Sequence, residues 1–120
     1  MGEIYRAVIE TKIPSLNEYI GACRENKYAA ANMKKVTEAE IAVFLRRLPT
    51  FEHPVYIHFR WIERNRRRDA DNIAAGKKFI LDAMVKAGKL KDDGRRYVLG
   101  FTDEFECGNQ QMVIMDVEEV

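Results

Sequence analysis

Val55, Ile57, Phe59 and Trp61 alternate with Tyr56, His58, Arg60 and Ile62, and this period of two predicts a strand. Near the N-terminus, Glu3 to Thr11 combines β-branched and aromatic residues in looser alternation and reads as a first strand, which Pro14 and Ser15 break. The period then changes. Leu16, Ile20 and Cys23 recur at helical spacing and lead into the polar, alanine-rich stretch NKYAAANMKK. Thr37 with Glu40 fits a capping box, and Ile41, Phe44, Leu45 and Leu48 give an apolar face after it. One interrupted helix or two helices therefore end before Pro49, and His53 with Pro54 turns the chain into the strong strand.

Beyond that strand, Ile73, Ile80, Met84 and Ala87 share one helical face, with Asn72 suited to the N-cap and Gly88 to the C-terminus. KLKDDGRR is a turn. Tyr97 to Phe101 and Gln111 to Val117 read as two further strands, with a loop around Cys107, Gly108 and Asn109. The order β, α, α, β, α, β, β predicts an α+β fold, a small mixed sheet with helices packed on one face.

With 120 residues, 47% of them apolar and 32% charged, the chain is sized for one globular domain over residues 1–120. No apolar run is long enough to span a bilayer, and MGEIYRAVIETKIPS lacks the apolar core of a signal peptide. Gly2 starts no lipidation signal, because no Ser or Thr stands at the sixth position. Cys23 and Cys107 are alone and far apart, which points to a reducing cytoplasm.

Charge changes this picture. The net value is only +1, yet residues 60–96 hold twelve Lys and Arg against six Asp and Glu, while the rest holds eight against thirteen. One third of the chain can thus attract a polyanion although the whole is nearly neutral. Within that third lies RRRDADNIAAGKK, residues 66–78, where two carboxylates interrupt a basic run. In an extended backbone Asp69 and Asp71 project to one side. Two such carboxylates repel each other unless a cation sits between them, and hard oxygen donors favour Mg²⁺. Asp92 and Asp93, in the turn after the helix, could complete the site. Lys78 lies almost two turns past Asp71, and helical side chains lean toward the N-terminus, so its ammonium aims back at the aspartates.

Blander readings apply to the neighbours. Asp82 sits four residues from both Lys78 and Lys86 and reads as a helix-surface partner, Trp61 and Phe59 as core, and neither His53 nor His58 as a general base. No phosphate loop, dinucleotide fingerprint, HExxH or Ser/His/Asp arrangement is visible.

RRRDADN followed by KKFILDAMVKAGKLKDD resembles the signature of the RusA-like Holliday-junction resolvases, small endonucleases common in phages and prophages. Arginine before D-x-D-N, a lysine early in the next helix, a run like F-x-x-D-A-Φ-x-x-A-G (Φ apolar) and a closing aspartate pair agree in order, over roughly residues 55–105. The resemblance implies a Mg²⁺-dependent enzyme, with Mn²⁺ as a substitute, that acts as a homodimer. It would cut four-way DNA junctions symmetrically, in recombination and repair. By the same resemblance Asp69, Asp71 and Asp93 are the essential metal-binding acids, Asp92 is accessory and Lys78 is the essential lysine. The chain departs from the prototype here. About three residues are inserted in Ile73-Ala74-Ala75-Gly76, so Lys77 remains the alternative to Lys78.

Arg66, Arg67 and Arg68, then Lys77, Lys86, Lys89, Lys91, Arg95 and Arg96, are the candidates for contact with the DNA backbone. Two other readings stay open: a DNA-binding or regulatory module without catalysis, and a nuclease for flaps or other branched DNA. Reach sets one constraint. A straight helix from Asp71 to Gly88 is roughly 25 Å long, whereas the residues from Gly88 to Asp93 return at most about 17 Å. Either the AAG segment delays the helix, or Asp93 joins the site of a second subunit.

Overall fold

The structure, a computed structural model, describes residues 3–120. Gly2, and with it the lipidation reading, lies outside the described residues. Four strands, β1 (Ile4–Ile9), β2 (Val55–Glu63), β3 (Val98–Cys107) and β4 (Met112–Glu119), form one mixed sheet in the order β1-β4-β2-β3. β4 runs antiparallel to both β1 and β2, whereas β3 is parallel to β2. The helices are α1 (Leu16–Glu25), α2 (Lys27–Val43), α3 (Ala70–Ala74) and α4 (Lys77–Lys86). The fold is α+β in the expected order, with the third helix divided in two. Among the described residues no helix is long and apolar enough to cross a membrane.

Alternation decides which face is covered. Val55, Ile57, Phe59 and Trp61 point to one side of β2 and are almost fully buried, alongside Val113, Met115 and Val117 of β4 and Ala7 and Ile9 of β1. Ile41, Ile80 and Met84 from α2 and α4 complete this core. The other sheet face carries polar ladders instead. Arg6 forms a two-bond pair with Asp116 (2.7 and 2.9 Å), and Arg60 forms another with Glu106.

Three local expectations change. Thr37 does not cap a helix: α2 runs through it, Thr37 is buried, and Asn26 makes the break by accepting the Ala29 N–H at 2.8 Å. Asn72 is not an N-cap either. Asp69 has the extended backbone that starts α3, and Asn72 lies inside the helix, accepting the Asn17 N–H at 3.2 Å. β3 extends to Cys107, well past Phe101, and the loop then steps across the end of β2 to reach β4. That step needs Gly108, because a Cβ there would stand 2.7 Å from Ile62 Cγ2.

Candidate active site

β2 delivers its last residue, Glu63, to the basic loop. Glu63 accepts from Arg68 Nη1 at 3.1 Å and from Gln111 Nε2 at 3.0 Å, and Arg68 Nη2 donates to the Ile13 carbonyl at 3.2 Å. Arg68 is thereby a tie between the loop, β2 and the β1–α1 connection. Arg66 and Arg67 are exposed and make no ion pair among the described residues. Of the candidate phosphate contacts in this loop, those two have free guanidinium groups.

Asp69 starts α3 in an extended conformation and Asp71 occupies its first turn; both are exposed. Asp69 makes no capping bond, and Asp71 Oδ1 accepts only the adjacent Asn72 N–H, at 3.0 Å. Their oxygens face solvent without a salt bridge among the described residues.

The helix axis then breaks at Ala75-Gly76, so the AAG segment divides the helix rather than delaying it. Gly76 is buried, and a Cβ on it would fall 2.6 Å from Ile13 Cγ2. The restart separates the two lysines. Lys77 turns inward to a salt bridge with Asp103 of β3, its ammonium 4.9 Å from the centre of the Phe101 ring. Asp103 Oδ1 also accepts Trp61 Nε1–H at 2.8 Å, so one carboxylate serves two partly buried donors.

Lys78 turns outward. Its ammonium meets Asp93 Oδ2 at 2.9 Å and Asp82 Oδ1 at 3.1 Å. Asp82 in turn meets Lys34 at 3.1 Å, and Lys34 lies 4.0 Å from Glu38. Glu38 is buried on α2 in ion contact with Lys86, with no well-aligned hydrogen bond to either carboxylate oxygen. Alternating charges therefore run Lys86, Glu38, Lys34, Asp82, Lys78, Asp93 from α2 across α4 to the following turn. Hydrogen bonding to Lys78 holds the Asp93 carboxyl below its ordinary range. Asp93 first and Asp82 second raise the Lys78 ammonium above its own, and Asp82 does the same for Lys34.

The remaining candidates divide between engaged and free. Lys89 donates to the carbonyls of Leu48 (2.7 Å) and Arg46, and Lys86 is held by Glu38. Lys91, Asp92, Arg95 and Arg96 are exposed and unpaired among the described residues. Asp92 and Asp93 line a depression of about 260 Å³ with Lys34, Lys78 and Asp82, and Asp69 and Asp71 are not part of it. Among the described residues no three Asp, Glu, His or Cys side chains come together as metal ligands. A single chain thus joins Asp93 to Lys78. Asp71 lies in the first turn of α3 and not in an extended chain, so the i, i+2 spacing expected to put it on one side with Asp69 does not apply.

Asp103, Glu63, Lys34 and Glu38 are the participants that sequence reasoning missed. A signal for Asp103 existed. It occupies the same side of β3 as Phe101 and Phe105, a charge at a sheet position facing the helices. Neither a protein-family model nor a curated protein sequence matches this chain.

Proposed function

We propose that this chain is a metal-dependent endodeoxyribonuclease that resolves four-way DNA junctions as a homodimer, in recombination and repair. The observation that carries the reading is the 2.9 Å contact between Lys78 and Asp93. Two positions of the one resembled motif, fifteen residues apart along the sequence, meet at one point.

Carboxylates are the donor chemistry that Mg²⁺ or Mn²⁺ requires, and Asp69 and Asp71 are exposed carboxylates without a salt bridge among the described residues, Asp71 accepting only the Asn72 N–H. Asp93, with Asp92 as accessory, would supply the rest of the shell. Two carboxylates leave coordination incomplete, so a shell that includes Asp93 requires either a second copy or release of Asp93 from Lys78. When bound, the ion would activate water and neutralise charge at the scissile phosphate.

The chain's own residues have separate tasks in this reading. Arg66 and Arg67 hold backbone phosphate ahead of the acids, and Lys91, Arg95 and Arg96 do so beyond them. Lys78 supplies positive charge where the reacting phosphate becomes more anionic. A two-fold dimer would present two equivalent sites to the two equivalent strands of a junction.

Asp71→Asn tests the proposal. Mg²⁺-dependent cleavage of a four-way junction is lost while binding is retained or strengthened. Undiminished cleavage overturns the assignment, and absence of cleavage in the unaltered protein favours a binding module. Parallel flap and duplex substrates separate junction resolution from a broader activity on branched DNA.

A further inference from the structure

A second feature of the basic loop has no part in metal binding. Next to Arg66 a cavity of about 350 Å³ opens between the loop, the first turns of α3 and the far end of β3. Its apolar wall is Phe105 with Ile73; Arg66 and Cys107 also line it. Phe105 pairs in register with Trp61 and so stands on the helix-facing side of the sheet, but β3 is an edge strand that the helices do not cover there. Phe105 is 42% exposed. A large apolar side chain left open on an edge strand invites association unless something covers it.

The charges around the ring narrow the choice of partner. Glu63 is neutralised by Arg68, and Glu106 by Arg60 at 2.7 Å. Arg66 is the cavity's cation without a salt bridge among the described residues. What remains is an aromatic face beside a free guanidinium, complementary to a planar base attached to a phosphate. The volume lies at the lower end of the range for small-ligand pockets, in keeping with one nucleotide.

We propose that this cavity takes an unstacked nucleotide of branched DNA, its base against Phe105 and its phosphate at Arg66. Duplex arms keep their bases stacked, whereas a branch point offers bases whose stacking is interrupted, so the cavity would favour branched over linear DNA. This rests on the DNA-binding part of the proposed function and not on cleavage.

The test uses the full chain carrying Asp71→Asn, so that binding is measured without cutting. Loss of aromatic stacking costs about tenfold in affinity per base. Phe105→Ala should therefore weaken four-way junction binding about tenfold and leave linear duplex binding unchanged, and Phe105→Trp should restore it. Equal binding by Phe105→Ala, or an equal loss on both DNAs, overturns the proposal. A second measurement leaves Phe105 intact and uses Cys107 as a reporter in a Cys23→Ser background. A junction whose branch-point base carries a tether ending in a mixed disulfide should exchange with the Cys107 thiol, which takes the tether sulfur and releases the capping thiol, faster than one with the same tether inside an arm; equal rates overturn the assignment. If the protein binds neither DNA, the DNA-binding reading fails and takes this inference with it; if it binds both and the Phe105 substitutions and trapping rates make no difference, only the inference fails.

Discussion

Lys78 and Asp93 are fifteen residues apart in sequence and 2.9 Å apart in space, the turn after α4 folding back to the first turn of that helix. Their bond moves both titrations, Asp93 below 3.8 and Lys78 above 10.5. The Asp93 contribution is present above its unfolded value and is lost as pH falls through the lowered folded value. The Lys78 contribution is present below its unfolded value and is lost as pH rises through the raised one. Between roughly pH 4 and 10 the pair is intact. Lys78 is 66% exposed, so solvent screens the pair and its worth is at most about 1 kcal/mol. Asp93→Asn should lower the urea midpoint slightly at neutral pH and not at all well below pH 3.8. Equal differences at both ends would refute the linkage.

The two adjacent lysines should respond in opposite ways. Lys78→Gln removes a mostly exposed group and should cost under about 1 kcal/mol of stability, yet abolish junction cleavage. Lys77→Met leaves the partly buried Asp103 charge with only the Trp61 N–H, and Asp103→Ala strands both the Lys77 ammonium and the Trp61 N–H. Either change should cost about 2–3 kcal/mol, read as a lower denaturation midpoint. Should Lys77→Met leave stability intact and remove cleavage, the roles of the two lysines are reversed.

How far the sequence reveals these roles depends on burial. β2 announces itself because one side is fully covered, so Val55, Ile57, Phe59 and Trp61 alternate cleanly. β3 is an edge strand whose Phe101 and Phe105 are only half covered, and its polar residues blur the alternation, so the predicted strand ends at Phe101 and leaves out Asp103. Thr37 and Glu40 have the spacing of a cap, but a capping box is local, and tertiary packing carries α2 through both. The spacing of Asp69 and Asp71 is visible because it lies within three residues, but the start of α3 at Asp69, which takes Asp71 out of an extended chain, is not. Of the chain Glu38, Lys34, Asp82, Lys78, the expected i,i+4 link between Asp82 and Lys78 is present, whereas the link from Lys34 to Asp82 is not legible, since it joins helices distant in sequence whose contact follows from packing.

Gly76 should tolerate no side chain. Its backbone is right-handed helical (φ −60), so the obstacle is not strain but Ile13, whose Cγ2 stands 2.6 Å from the site of an added Cβ. Ile13 is β-branched and stiff, so it cannot easily swing away. Gly76→Ala should cost about 1–3 kcal/mol by overpacking. Ile13→Ala removes the opposing methyl, and the double variant should be less destabilised than the sum of the two single ones in thermal melts. Simple additivity would show that the two residues do not press on each other.

The three loop arginines should separate in a salt titration. Arg66 and Arg67 are exposed and unpaired among the described residues, whereas Arg68 spans Glu63 and the Ile13 carbonyl. A guanidinium that neutralises a phosphate releases a condensed counterion, so its removal lowers the slope of log K against log salt by about 0.9. Arg66→Ala and Arg67→Ala should each flatten the slope by about that amount and leave the melting temperature unchanged. Arg68→Ala should act differently. It leaves Glu63 with only Gln111 and frees the loop from β2, so stability falls by about 1–3 kcal/mol. Junction binding by that variant should recover at lower temperature, where the loop refolds, with the slope unaltered. A slope change at Arg68 equal to that at Arg66, with no loss of stability, would make it a phosphate ligand after all.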